Sequence, residues 1–294
     1  MKNNVLEKLA FWRSPQLSNS LGVFVSSQSL WVYDAESEQQ SEHIADFPVI
    51  ENNWNATFSA VKQRYGATSL QLVLSHSYYQ LLQADKPSVE AAEVNQALIW
   101  AVKDMVSEPV ANIHLDYFES SVSPSGKVNV VISSRQNLAA MAVACDELGF
   151  DISGISIEEL ALTHLFAADN SARMLVTHVP DDELLLTVIK NGELLMQRRV
   201  RGFNQLHQVS QQDLGYGMAD NLSLEIQRSM DYFESQLRQA PVSEIHLLVD
   251  GEHATLAELV SANFNQAVIP IAHQGVPACL AKLASEEIYG GNSD

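Results

Sequence analysis

Apolar and polar positions along the chain follow a plan that occurs twice. Leu21 to Tyr33 reads as two apolar strands around a short polar turn, and Asp34 to Ser41 is a second polar turn before a third strand from His43 to Val49. Met174 to Ile189 repeats the first pair of strands around Pro180-Asp-Asp-Glu183, and Asn191-Gly192, a strong hairpin signal, leads into Leu194 to Val200. A helix follows each meander. Trp54, Phe58, Val61 and Tyr65 recur at helical spacing before Gly66, as do Leu222, Ile226, Met230, Phe233 and Leu237 before Pro241. A strand comes next in each half, Leu70 to Leu74 and Ile245 to Val249. Three-stranded meander, helix, strand and helix, appearing twice, predict a duplicated α/β protein whose halves face each other across a cleft.

An insert separates the halves. The pattern predicts a helix starting at Ser88, with Glu90 and Glu93 favourable to its dipole and an apolar stripe of Val89, Val94, Leu98, Val102 and Met105. A strand from Ile113 to Glu119, a turn at Ser123 to Gly126, a strand from Lys127 to Ser133 and a helix from Asn137 to Leu148 follow. Ile155 to Phe166 reads as a strand entering a helix that returns to the second half. The expected division is an amphipathic segment over 1–15, a first lobe over 16–73 and 152–170, a small α+β insert over 74–151, and a second lobe over 171–294. The fold class is a duplicated, two-lobed actin-like (ribonuclease-H-like) α/β fold with that insert.

Composition narrows the function. The 294 residues suit about two domains, and hydrophobic residues make up 46% of the chain. A net charge of −19 repels nucleic-acid backbones and anionic lipid. The two cysteines, Cys145 and Cys279, form no Cys-x-x-Cys pair, so neither a disulfide framework nor structural zinc is expected, and a reducing compartment suits them. No apolar run approaches the roughly 18 residues of a membrane span. Val5, Leu6, Leu9 and Trp12 form a short stripe that Pro15 ends, read as a helix packed on its own domain in preference to one lying on a membrane surface or docked on a partner, and the segment lacks the apolar core of a signal peptide.

In nucleotide-using proteins of this duplicated plan, the two hairpin turns hold phosphates. They need glycines for close backbone approach and aspartates for magnesium or water. Here Gly22 remains in the first turn, but Phe24 takes the aspartate position and Ser26 the second glycine position. In the second turn Thr177 and Val179 replace aspartate and glycine, and Pro180 has no N–H to offer. Asp181, Asp182 and Glu183 would each repel a phosphate charge by about 1 kcal/mol at 4 Å even in bulk water. Gly202 and Gly251 complete the degenerate positions, the latter flanked by Asp250 and Glu252. The pattern predicts no catalytic residues, no metal site and no ATP or magnesium cofactor. His178 beside Asp181 and Asp182 reads as a solvated turn residue, Glu225 and Arg228 as a surface pair, and Ser26 and Ser27 lack a nucleophile elbow.

Leu224-Glu-Ile-Gln-Arg-Ser-Met-Asp-Tyr-Phe233 resembles the Glu-Ile-x-Arg-Ser helix of the PilM/MshI proteins of type IV pilus assembly, those serving MSHA pili above all. Gly22 to Trp31 is similar to that family's Gly-Ile-Asp-Ile-Gly-Ser-Ser-Ser-Val-Lys opening, departing at Phe24, Ser26 and Trp31. Pro87 to Trp100 and Leu115-Asp116-Tyr117 resemble the first helix and next strand of its small domain. The resemblance implies a cytoplasmic protein held at the inner membrane through a single-pass PilN-like partner. It would bind that partner's short cytoplasmic tail and link other pilus assembly platform proteins to their motors. In PilM-like proteins the tail lies between the first lobe and the insert, which implicates Leu74, Trp100, Tyr117 and Val131. The lost phosphate motifs bring the chain nearer the nucleotide-free cytoplasmic domains of type II secretion L proteins. An ATPase with unusual ligands, or a sugar-kinase-like enzyme using Asp181 or Asp182, are the alternatives.

Overall fold

The computed structural model describes residues 20–37, 43–51, 53–123 and 126–290. The amphipathic segment predicted over 1–15, most of the acidic turn near Glu36, part of the Ser123 turn and the final residues lie outside these. Strands β1 (Ser20–Val25), β2 (Ser29–Asp34) and β3 (Ile44–Pro48) form the first meander. Helix α1 (Trp54–Tyr65) begins where the Asn53 side chain accepts from the Ala56 amide at 3.0 Å, and ends at Gly66, whose φ of 77° suits a residue without a side chain. Strand β4 (Ser69–Leu74) runs parallel to β1.

The chain then enters the insert. It is built from β5 (Tyr79–Asp85), α2 (Val94–Val102), β6 (Ile113–Phe118) and β7 (Lys127–Ser134), with sheet order β5-β7-β6. Periodicity does not predict β5, because Leu81-Leu82 breaks its alternation. The predicted helix at Ser88 begins only at Val94, after a 3-10 turn at Ala91–Glu93, and no side chain caps it. Val94, Leu98 and Val102 are buried as predicted, whereas Val89 and Met105 are exposed. Helix α3 (Arg135–Leu148), expected to belong to the insert, drives Met141, Ala144 and Cys145 into the first-lobe core beside Phe58 and Phe150. Its end at Gly149 leads into β8 (Asp151–Ile157), which completes the first sheet in the order β3-β2-β1-β4-β8.

Helix α4 (Glu158–Ala161) and a 3-10 turn cross to the second lobe. There β9 (Arg173–His178), β10 (Leu184–Lys190) and β11 (Glu193–Val200) form the second meander. A short α5 (Gln211–Asp213) and a π turn at Leu214–Met218 lead into α6 (Ala219–Ser235). Strand β12 (Glu244–Val249), α7 (His253–Ser261), β13 (Ala267–Pro270) and α8 (Val276–Gly290) follow. The second sheet has the order β11-β10-β9-β12-β13, the same topology as the first.

Alternation along β1 divides the burial. Leu21, Val23 and Val25 face α1 and α3, while Phe24 faces the space between the lobes. That space is apolar. Phe24 packs in one cluster with Leu162 of the crossover, Leu175, Val179, Leu185 and Leu248 of the second lobe, and Leu280 of α8. Each fully buried side chain of this size contributes about 1.5–3 kcal/mol. Helix α8, assigned on sequence to the second lobe, lies on the first sheet. A β-carbon at Gly22 would stand 2.1 Å from the Ala281 carbonyl oxygen and 2.5 Å from the Ser285 amide nitrogen. Gly22 is therefore required for helix-on-sheet packing.

Candidate functional site

The first turn is closed on itself. The Ser26 amide donates to the Ser29 carbonyl at 2.9 Å, and Ser26 Oγ accepts from the Ser29 amide at 3.0 Å and the Gln28 amide at 3.3 Å. Tyr78 Oη donates to the Ser26 carbonyl at 3.1 Å. Phe24, at the predicted aspartate position, is fully buried. The serine hydroxyl thus satisfies the donors that a glycine here would leave open.

The second turn is equally engaged. The Asp181 amide donates to the Asn204 carbonyl at 3.1 Å, and the Asp182 amide to the Val179 carbonyl at 3.1 Å. Asn204 Nδ2 and Gln205 Nε2 donate to the Asp181 carbonyl and carboxylate at 3.1 and 2.8 Å, holding Asp181 at a φ of 68°. Thr177 and Val179 are buried. Gly202 sits at a φ of 93° where the chain leaves β11, with open space around it. Gly251 is contacted from the loop after β11: a β-carbon there would lie 2.4 Å from the His207 carbonyl oxygen. The segment from Phe203 to His207 thus reaches both the second turn, through Asn204, and the end of β12, through His207.

His178 corrects an expectation. It is fully buried on β9, not a solvated turn residue. Its Nε2 lies 3.2 Å from the Asn204 carbonyl, which makes that nitrogen the donor, and its ring stacks on His207 at 5.6 Å between centroids. Its Nδ1 has no hydrogen-bond partner among the described residues. Burial, then the neighbouring His207, push its pKa down to about 4, so the ring is neutral. Asp250 serves the fold. It accepts from His273 Nε2 at 2.9 Å and from the Val276 amide at 3.1 Å, fastening the start of α8 to the end of β12. The Glu225–Arg228 pair forms as predicted, and Arg198 also reaches Glu225, at 2.6 Å.

A buried charged cluster joins the lobes beneath the turns. Arg199 Nη2 on β11 donates at 2.8 Å to both Glu158 and Glu159 at the start of α4, and at 3.2 Å to Tyr79 Oη on β5. Tyr79 Oη in turn donates to Glu159. The His76 amide donates to Glu158 at 3.2 Å, and His76 Nδ1 lies 3.5 Å from Asp182 in the second turn. Both glutamates are buried, Glu159 completely. Burial raises the Glu158 pKa against the pull of Arg199, and Asp182 raises that of His76. Burial alone would weaken the Arg199 charge, but Glu158 and Glu159 outweigh it and keep the guanidinium protonated. His76, Glu158 and Asp182 each bring one potential ligand atom within 4.8 Å of the others, yet Arg199 already supplies Glu158 with a positive charge. Sequence reasoning missed this cluster. Its one linear signal is the Glu158-Glu159 pair directly after an apolar strand, which a helix dipole also explains.

Beside the cluster lies a cavity of about 320 Å³ where β5 leaves the first lobe and β7 meets α3. His76, Tyr78, Tyr79, Glu108, Ile132 and Ser133 contribute to its walls. The four predicted groove residues do not gather there. Leu74 is buried in the first-lobe core and Val131 packs against the same core from the insert. Tyr117 packs with the insert core beneath α2, and Trp100 is 62% exposed on that helix, with Lys103 Nζ 6.0 Å from its ring centroid. A second cavity of about 460 Å³ opens between the insert sheet and β11, with Gln83, Asn129, Met196 and Tyr232 in its walls.

Two sheets of one topology, crossover helices between them and an insert in the first lobe define the actin-like ATPase fold. Solved structures of this fold match almost the whole chain. The PilM–PilN type IV pilus biogenesis complex superposes with a TM-score of 0.68 at 14% identity, over 93% of this chain and 99% of that one. The cytoplasmic domain of EpsL, an inner-membrane component of the type II secretion system of Vibrio cholerae, gives 0.55 at 18% identity, over 92% and 95%. A Bacteroides thetaiotaomicron protein with an actin-like ATPase fold and unknown function gives 0.53 at 13%, over 91% and 96%. No family model matches the sequence. No curated protein matches it either. Among the described residues, no helix is long and apolar enough to cross a membrane.

Proposed function

We propose that this chain is a non-catalytic scaffold of a type IV pilus assembly, bound to the short cytoplasmic tail of a single-pass PilN-like inner-membrane protein. The observation that carries this reading is the self-closed cleft. The amides of Ser26, Asp181 and Asp182 are donated within the protein, Phe24 and Val179 belong to the core between the lobes, and the His207 carbonyl stands against Gly251. In this reading a triphosphate would find these three donors already engaged, and would meet Phe24 and Thr177 where an aspartate would hold magnesium. The fold is thereby kept for its surfaces rather than for chemistry, as befits a scaffold.

The tail site in this reading is the 320 Å³ cavity between the first lobe and the insert, polar at Ser133 and Tyr78 and acidic at Glu108. Its size suits a few residues of an extended peptide. The finer assignment is an MSHA-type pilus, on the strength of the motifs from Gly22 to Phe233. The protein then works in the cytoplasm, peripheral to the inner membrane through its partner and beside other platform proteins. A role like that of type II secretion L proteins is the nearest alternative, motivated by the EpsL likeness.

Calorimetry tests both halves of this proposal. Titration with Mg-ATP is expected to give no heat and no thermal stabilisation, whereas a PilN-like tail peptide is expected to bind. Micromolar ATP affinity with several degrees of stabilisation would restore the ATPase reading. Absence of tail binding would remove the scaffold assignment.

A further inference from the structure

His76 and Asp182 face each other where the lobes join, yet no hydrogen bond links them. His76 Nδ1 lies 3.5 Å from Asp182 Oδ2, beyond ordinary hydrogen-bond length. That nitrogen is buried and has no hydrogen-bond partner among the described residues. A buried polar atom left this way is costly unless something between it and the carboxylate bonds to both. Charge points the same way. Glu158, Glu159 and Asp182 bring three carboxylates, and Arg199 is the permanent cation among them. Arg199 Nη2 is spent on the two glutamates, at 2.8 Å from each, and forms no pair with Asp182. Ionised together, three carboxylates against one guanidinium leave two negative charges in excess, which is the charge one divalent ion supplies.

We infer that His76 Nδ1, Asp182 and Glu158 form a divalent-cation site, fitted to zinc or manganese, that ties the turn after β4, the crossover helix α4 and the second turn to one ion. The three ligand atoms lie within 4.8 Å of one another. Two ligands at about 2.1 Å from a tetrahedral ion stand about 3.4 Å apart, a spacing that His76 and Asp182 already have. Glu158 has to close by no more than about 1.4 Å, a turn of its carboxylate. Its Oε2 stays on Arg199 while Oε1, which accepts from the His76 amide at 3.2 Å, swings to the ion. One imidazole nitrogen with two carboxylates suits zinc or manganese, whereas magnesium prefers oxygen ligands in rigid octahedral geometry. His76 also lines the 320 Å³ cavity, so water reaches a fourth position from that side. The ion's role is structural, holding three separate stretches of chain at one point. It does not depend on what the cavity binds, nor on which assembly the protein serves.

Calorimetry on the full chain, first stripped with a chelator, tests the site with the metal alone. Zinc or manganese chloride is expected to bind at one equivalent, at least about ten-fold more tightly than magnesium chloride, and to raise the unfolding midpoint at saturation. His76→Ala and Asp182→Asn should each weaken binding by at least about ten-fold, as loss of a ligand or its support does. His114→Asn, at an exposed histidine on β6, should leave it unchanged. A second measurement needs no variant and so survives any that fail to fold. Manganese at less than one equivalent should broaden the amide resonances of residues 75–77, 157–159 and 181–183 before all others in the wild-type spectrum. Absence of saturable binding to the stripped wild type overturns the site. So does binding that persists in folded His76→Ala and Asp182→Asn, or broadening centred elsewhere, such as on His178 and His207.

Discussion

Asp250 at the end of β12 and Val276 at the start of α8 are joined across the loop between them, the Val276 amide donating to Asp250 Oδ1 at 3.1 Å. The bond makes Asp250 the cap of a helix that leaves its own lobe and covers the other. His273 Nε2 shares the same carboxylate oxygen at 2.9 Å, so one side chain fixes both the loop and the helix.

Replacing that cap should therefore loosen the joint between the lobes. Asp250→Ala is expected to cost about 0.5–2 kcal/mol, the usual range for a lost helix cap. Urea denaturation followed by circular dichroism measures it. A cost below a few tenths of a kcal/mol would show that α8 does not depend on this anchor.

Gly22 has a sharper requirement. Its missing β-carbon leaves room for the Ala281 carbonyl and the Ser285 amide of α8, both backbone groups that cannot turn aside. Gly22→Ala is expected to displace the helix and cost about 1–3 kcal/mol, as overpacking does. The shift should appear as a lower unfolding midpoint, with faster amide exchange along α8.

Arg199 neutralises two buried glutamates. Arg199→Met leaves both without their cation, and breaking a buried pair in this way costs about 3–5 kcal/mol. Adding Glu158→Gln and Glu159→Gln should recover much of that loss, because the uncompensated charges disappear. Chemical denaturation of the single and triple variants checks the order. If the triple variant is no more stable than Arg199→Met, charge is not what the arginine supplies.

His178 gives the fold an acid sensitivity. Its folded pKa is about 4, against an ordinary value of 6.5. Between these values the unfolded chain binds the proton and the folded chain does not. Stability is therefore unaffected above pH 6.5 and falls as the pH drops toward 4, by about 3 kcal/mol in full. His178→Asn should show a shallower loss between pH 7 and pH 5 than the wild type, measured by urea unfolding at each pH. Identical slopes would mean that the buried ring does not titrate in this range.

Much of the architecture was readable from pattern. The duplicated meanders, the helix Trp54–Tyr65 and the strand beginning near Leu70 stand where alternation, helical spacing and Gly66 put them, because each is decided by neighbours a few residues away. Strand β5 escaped because Leu81-Leu82 breaks the period of two. The late start of α2 escaped because no capping contact forms at Glu93.

The departures at Phe24, Ser26, Thr177, Val179 and Pro180 were visible as residue types. Where those side chains go was not visible. That Phe24 meets Val179 in a core between the lobes, that Gly22 serves α8, and that His178 is buried depend on residues distant in the chain becoming neighbours. The charged cluster of His76, Glu158, Glu159, Asp182 and Arg199 is the clearest case, since no local rule relates its members. Propensity and periodicity act over short range, and so the elements and their duplication could be had from the linear chain. Which lobe each crossing helix covers, and which charges are buried together, came only from the folded molecule, because desolvation and packing are set by whatever arrives on the other side.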